Sequence, residues 1–330
     1  MRLSLLDVLG CPRCHGELVC VPEGQDAAGD IQTGTLRCAA CTASYPITSG
    51  IPRFVPNDVY ASSFGYQWNR FRTEQLDSVN GTTLSHDRLN AETGWSKDWM
   101  RGKWLLDAGC GAGRFLDVVA EAEAEVVGLD ISIAVDAARD NLSGRPHVHF
   151  VQASLYEMPF RDRVFDGVYC IGVIQHTPDP LASVRALPRV LKDGGRIACT
   201  SYEKRPFTRF YSKYLVRPLT TKLGERTLLG AIRGMMPVLF PLTEVAFRIP
   251  VLGRAAQFAI PVANYVHERQ LSLRQRYAWA VLDTFDMLAP RYDQPQTETD
   301  VTSALRAAGI EEIRRIPAGG LNLVGRKIAR

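Results

Sequence analysis

"LLDAGCGAGRF", residues Leu105 to Phe115, joins an apolar run to an acid and then to three glycines at alternate positions, Gly109, Gly111 and Gly113, before Arg114 and Phe115 resume an apolar rhythm. A strand that ends in glycines and restarts as a helix lets the backbone pass close to a ligand, because glycine has no Cβ to collide with it. The dinucleotide fingerprint G-x-G-x-x-G needs its third glycine at position 114, where Arg114 stands, so that reading is weakened. A phosphate-cradling loop needs Gly-Lys-Ser/Thr after the turn, and none follows.

The remaining pattern, an acid two residues before G-x-G-x-G, resembles the first motif of class I S-adenosylmethionine methyltransferases, whose loop wraps the methionine part of the cofactor. "EVVGLD", Glu125 to Asp130, has the form of a buried parallel strand opening into a crevice, where Asp130 can accept hydrogen bonds from both ribose hydroxyls. "VHFVQAS" leads into "LYEMPF", which resembles the adenine-binding turn of that family, although Ser154 stands where the family usually has an acid. "FDGVYCIGVIQHTPDP" and "VLKDGGRIACTSY" are similar to its fourth strand and exit loop and to its fifth strand with the preceding Gly-Gly turn. The resemblance implies an α/β fold: a seven-stranded, doubly wound, Rossmann-like sheet with a small zinc ribbon before it and a helical insertion after the fifth strand. It further implies S-adenosylmethionine as cofactor, held by Asp107, Gly109, Cys110, Gly111, Gly113, Asp130, Ile131, Ser154, Leu155, Cys170 and Ile171. Taken singly, Asp107 and Asp130 also fit ordinary strand-end caps.

At 330 residues, 46% hydrophobic and 22% charged, the chain suits a globular protein of about two domains. No run reaches the roughly 18 uninterrupted apolar residues of a membrane span, and the first residues lack a signal-peptide core. A reducing cytoplasm is therefore expected, in which cysteines serve as ligands or packing residues before disulfides. Cys11-Pro-Arg-Cys14 and Cys38-Ala-Ala-Cys41 are two C-x-x-C knuckles at a spacing close to that of four-cysteine zinc ribbons. A disulfide pair is the alternative, and Cys20, Cys110, Cys170 and Cys199 show no ligand spacing. Leu5 to Val55 resembles the small zinc-ribbon activators that pair with methyltransferases of tRNA and protein, here fused to a catalytic domain, with residues 1–56 forming the ribbon.

Some rRNA guanine methyltransferases also carry a zinc module, so RNA is the second acceptor reading. The ribbon is about neutral, however, and the N/D-P-P-Y/F motif of base-amino methyltransferases is missing where "GVIQHTPDP" stands. A non-catalytic, cofactor-binding partner protein is a third reading. Residues 57–100, dense in aromatics, look like a lid over the cofactor, with Tyr66 and Trp68 as acceptor contacts; packing of an amphipathic helix is the alternative.

Residues 101–203 and 277–330 are expected to form the methyltransferase domain, and residues 204–276 an insertion roofing the acceptor site. Residues 203 to 276 hold thirteen Lys/Arg against four Asp/Glu, a net +9 where the whole chain has +4. Basic charge beside the apolar patches "MMPVLFPL" and "AAQFAIPVANYV", each broken by proline and too short to span a bilayer, suggests an anionic or amphiphilic partner. A solvated helical cap is the alternative. The expected acceptor is thus a small anionic or amphiphilic metabolite, lipid or glycan, with peripheral contact to the inner face of a membrane; Tyr202, Arg205, Asp286 and Tyr292 are further acceptor candidates. His176, in the loop after the fourth strand, is the candidate general base for O-methylation; an imidazole merely bonded to that loop's backbone is the alternative, and carbon or nitrogen methylation stays open. The quinone-pathway O-methyltransferases that this loop resembles carry carboxylates one and four residues earlier for a metal, where this chain has Gln175 and Gly172, so no catalytic metal is expected.

Overall fold

Short apolar runs that alternate with helices assemble into a single mixed sheet, and a smaller sheet precedes it. The computed structural model describes residues 1–55 and 60–329. The ribbon-to-lid boundary expected at residues 56–57 lies outside the described residues.

Strands β1 (Leu18–Gln25), β2 (Ile31–Cys38), β3 (Ser44–Thr48) and β4 (Ile51–Pro52) form an antiparallel sheet in that order. Helices α1 (Ser62–Arg70), α2 (Asp77–Asn80), α3 (Leu84–Thr93) and α4 (Lys97–Met100) lead into β5 (Trp104–Ala108) and α5 (Arg114–Ala120). Then come β6 (Glu125–Asp130), α6 (Ala134–Leu142), β7 (Val148–Gln152), β8 (Phe165–Ile171), α7 (Pro180–Ala186) and β9 (Leu191–Ser201). Helices α8 (Ser212–Thr220), α9 (Glu225–Ala246), α10 (Leu252–Ala259), α11 (Leu273–Leu288) and α12 (Glu298–Ala307) precede β10 (Ile310–Arg315) and β11 (Leu321–Lys327).

The second sheet has seven strands in the order β10-β11-β9-β8-β5-β6-β7. β5 pairs in parallel with β6 on one side and β8 on the other, whereas β11 runs antiparallel to both β9 and β10. The winding reverses at β5, and in open α/β sheets the crevice beyond such a switch point is where ligands bind. This is the seven-stranded, Rossmann-like sheet expected from the motifs, with the last strand inserted antiparallel.

β7 is an edge strand, and the ribbon covers it. The Phe54 N–H donates to the Gln152 carbonyl at 2.8 Å, the Gly10 N–H to the Pro159 carbonyl at 3.0 Å and the Arg161 N–H to the Val8 carbonyl at 2.9 Å. The Arg53 guanidinium adds bonds to Gln152 Oε1 (2.7 Å) and Asp136. Leu5, Leu9, Ile31 and Leu36 of the ribbon share one apolar cluster with Val151, Phe160 and Phe165 of the large sheet. An exposed edge would offer unpaired N–H and C=O groups to other chains; here the ribbon bonds the end of the strand at Gln152.

The insertion departs from expectation. The prolines do not break "MMPVLFPL": α9 is one 22-residue helix with Pro237 and Pro241 inside it, about 33 Å long. Proline lacks an N–H and crowds the carbonyl four residues back, but the cost is offset because Leu228, Leu229, Ile232, Met236 and Phe240 bury one face in a cluster with α11 residues such as Phe285. By length and composition α9 as a whole could cross a membrane, although the patch within it is too short to do so alone. The insertion boundary drawn at 276/277 falls inside α11, a helix started by a capping box between Ser272 and Gln275.

Candidate active site

The four ribbon cysteines converge. Their sulfurs all lie within 4.8 Å of one another, with Cys11 and Cys41 at 3.7 Å and Cys14 and Cys38 at 3.4 Å. A tetrahedron of Zn–S bonds near 2.3 Å has edges of about 3.8 Å, so the donor set fits structural zinc. The backbone N–H groups of Cys41 and Ala40 point at Cys38 Sγ and hold its thiol down at about 6, which suits a thiolate ligand.

Beyond the carboxyl ends of β5, β6 and β8 lies a cavity of about 370 Å³, within the range of small-molecule sites. Gly109, Cys110, Gly111, Asp130, Ile131, Leu155 and Ile171 line one part of it. At φ 103° and 53°, Gly109 and Gly111 occupy backbone conformations that favour glycine. A Cβ on Gly109 would strike the Val173 side chain, and one on Gly111 would stand 3.1 Å from the Trp68 indole nitrogen. Asp130, buried at the end of β6, accepts from the Gly111 N–H at 2.9 Å and from the N–H and hydroxyl of Ser132 at 2.8 Å each. It thereby ties the glycine loop to the neighbouring strand, and burial raises its pKa. A glycine cradle beside a strand-end carboxylate suits the amino-acid and ribose parts of S-adenosylmethionine.

Four other expected cofactor residues do not line the cavity. Cys170 faces the opposite side of β8 from Ile171, as strand alternation requires. Gly113 packs toward Leu142 and Ala138 of α6. The Ser154 hydroxyl caps the turn that follows, accepting from the Tyr156 N–H at 3.2 Å. Asp107 is buried next to Tyr169, and burial pushes its carboxyl well up.

The rest of the wall comes from the helical layers. Tyr60, Phe64 and Trp68 roof the cavity, and Arg88, Arg114, Tyr202, Tyr265, Asp283 and Asp286 close the far side together with His176. Among the expected acceptor contacts, Trp68, Tyr202 and Asp286 are therefore at the cavity. Three others are not. Tyr66 lies about 200° around α1 from Phe64 and packs on Phe285, ring centres 5.9 Å apart. Arg205 is exposed and bound to Glu203 at 2.7 Å. Tyr292 turns its ring to Tyr60 (5.7 Å) and contributes its carbonyl, which lies 2.9 Å from His176 Nδ1.

His176 is buried between the Phe64 and Tyr202 rings. A carbonyl can only accept, so Nδ1 carries the proton, and in the neutral imidazole Nε2 is then the nitrogen with the free lone pair. Each acid of α11 has its own donor: the Gln67 amide donates to Asp286 at 3.1 Å, while Asp283 takes the Tyr265 hydroxyl. Burial and the neighbouring Asp286 push Asp283 up to about 6.

Sequence reading missed the two arginines. Arg114 Nε donates to Ser85 Oγ (2.9 Å) and Nη1 to Gln75 Oε1 (3.0 Å), and its guanidinium lies against the Phe115 and Trp279 rings. It has no ion-pair partner among the described residues, and burial lowers its pKa to about 10. Arg88 pairs with buried Glu92 at 2.8 Å. The available signal was Arg114 itself, placed directly after the glycine loop; Arg88 belongs to no motif.

Comparison with known proteins accords with this geometry. Residues 106–199 match the family model described as "Methyltransferase domain", and residues 2–50 match "Trm112p-like protein". An Alkalilimnicola ehrlichii protein named ubiquinone biosynthesis O-methyltransferase is 32% identical over 127 residues, covering 36% of this chain and 51% of that one. The Aspergillus nomiae O-methyltransferase rstn1 is 30% identical over 168 residues, covering 47% and 73% respectively. An uncharacterised Synechococcus protein is 39% identical over 228 residues, 67% of this chain and 48% of its own. The chain thus spans about half the length of two of these three relatives. The glycine cradle, the sheet order and the relationship to rstn1 together place the chain in the family of S-adenosylmethionine-dependent methyltransferases, with a Trm112p-like zinc-ribbon domain fused ahead of the catalytic sheet.

Proposed function

We propose that the protein methylates a hydroxyl oxygen of a small anionic or amphiphilic molecule, acting peripherally at the inner face of a membrane. The observation that carries this reading is His176, a buried imidazole on the cavity wall whose Nδ1 proton is committed to the Tyr292 carbonyl. Nε2 is left to accept the acceptor's hydroxyl proton, and the imidazolium so formed keeps its Nδ1 bond. S-adenosylmethionine supplies an electrophilic methyl group on a sulfonium sulfur. The Gly109 to Gly111 loop and Asp130 hold the cofactor's methionine and ribose parts, while Tyr60, Phe64 and Trp68 keep water from the reacting groups. Arg114, a guanidinium on the wall without a carboxylate partner, supports an acceptor with negative charge. The O-methyltransferase names of two relatives support oxygen as the methylated atom.

His176→Ala is expected to lower kcat by about 10² to 10⁴ while leaving cofactor affinity intact; an unchanged kcat removes the base. Asp130→Ala is expected to weaken cofactor binding about ten- to a hundred-fold, the loss of an acceptor bond of about 1.5 to 3 kcal/mol. Calorimetry with S-adenosylmethionine checks it. The acceptor class is tested by incubating labelled cofactor with separated lipid, glycan and metabolite extracts, with structured RNA as competitor. Methylation of the RNA, or displacement of the small acceptor by it, would overturn the small-molecule reading.

A further inference from the structure

Twelve of the nineteen large apolar side chains exposed on the described residues fall between Phe207 and Val251. α8 and α9 both rest on α11: Arg217 of α8 donates to the Met287 and Pro290 carbonyls, and Phe240 of α9 meets the Tyr277 ring. Their far faces stay open. On α8, Leu215 and Leu219 are one turn apart, 67% and 72% exposed. On α9, Met235, Val238, Leu242 and Val245 recur at spacings of three and four, which makes one stripe along the helix. Isolated exposed apolar residues are ordinary, whereas a collection of this size marks an interaction surface.

Charge decides what covers it. Lys204, Arg209, Lys222, Arg226, Arg233 and Arg254 are exposed and have no ion-pair partner among the described residues. The acids nearby are few: Glu244 binds Arg248 and Arg276, and Glu225, bonded to the Ser62 hydroxyl, is left to face the free cations. A second copy laid on this face would therefore meet cations with cations.

We propose that the outward faces of α8 and α9 dock the enzyme in the plane of an anionic lipid membrane. The leucine and valine side chains enter the acyl boundary, and the surrounding arginines and lysines bind lipid phosphates. α9 lies on the surface and does not span it, because its inner face is already committed to Phe285 and the rest of the α11 cluster. The inference deepens the peripheral membrane action proposed above and rests on it for the choice of partner; vesicle binding and methyl transfer are separate readouts, and either can fail alone.

The test uses the full-length, zinc-loaded protein and two kinds of vesicle: phosphatidylcholine alone, and a one-to-one mixture with phosphatidylglycerol. The protein should sediment with the mixed vesicles and not with phosphatidylcholine, and salt should release it. Leu242→Glu with Val245→Glu should lower partitioning at least about tenfold, as should the independent pair Lys222→Glu with Arg226→Glu. Unchanged S-adenosylmethionine affinity shows that each variant is folded. Absence of binding to the anionic vesicles, or equal binding to both kinds, would overturn the proposal. So would a solution dimer that Leu242→Glu dissociates, because that result assigns the face to a second copy.

Discussion

The ribbon and the insertion flank the same sheet and treat their apolar residues in opposite ways. In the ribbon, Leu5, Leu9, Ile31, Leu36 and Ile51 are all essentially inaccessible and extend the core of the catalytic sheet. In the insertion, α9 buries one face on α11 and leaves Val238, Leu242 and Val245 in solvent. The ribbon is tied down by its thiolate cluster and by its bonds to the edge strand. The insertion packs on α11 and on Phe71 beyond α1, and keeps a surface available. The comparison teaches that an apolar segment is assigned to core or to contact by its neighbours in space, since the residue types in the two regions are alike.

Removing the zinc should produce the largest effect. Structural zinc sites contribute about 10 to 16 kcal/mol in small isolated domains, and this ribbon shares its core with the large sheet. Chelation, or Cys11→Ser with Cys38→Ser, should therefore lower the melting temperature of the whole protein in one transition and abolish cofactor binding. A catalytic domain that melts unchanged after zinc loss, as seen by calorimetry, would mean that the two regions are independent.

A smaller effect is expected at the seam. Arg53 is held by Gln152 and Asp136, and Gln152 in turn donates to the Ile131 carbonyl beside Asp130, the acid proposed to hold the ribose. Arg53→Ala should cost about 1.5 to 3 kcal/mol, the range for hydrogen bonds to a charged group. It should also weaken S-adenosylmethionine binding measurably, because the chain of contacts ends at the cavity. Urea titration and calorimetry separate the two consequences.

The smallest effect belongs to the insertion. Leu242→Gln, on the open face of α9, should change stability by no more than about 0.5 kcal/mol, as surface substitutions do. Leu36→Gln in the ribbon, with its side chain fully buried, should be strongly destabilising by contrast, since an unbonded amide would enter the core. Equal costs at the two positions in parallel urea titrations would erase the distinction between the regions.

The glycine loop, the strand-end acid and the two cysteine knuckles were readable because each depends on residues a few positions apart. Gly109 and Gly111 need their positive φ whatever surrounds them, and the alternation of apolar runs with helices sets a parallel sheet before any contact is known. The zinc ligands likewise follow from two short spacings. What the chain alone left open depends on residues far apart meeting in space. Arg88, Arg114, Tyr265 and Asp283 reach one cavity because α3, α5, α11 and the segment before α11 converge over the carboxyl ends of the strands, and no local pattern encodes that convergence. Tyr66 was expected at the cavity and Phe285 covers it instead; the tertiary packing selects which side of α1 looks inward. The prolines of α9 read locally as helix breaks, yet the apolar face packed on α11 repays the lost hydrogen bonds. Backbone conformation and ligand spacing are short-range properties that the sequence states directly, whereas burial is a property of the assembled layers and is decided only when they close.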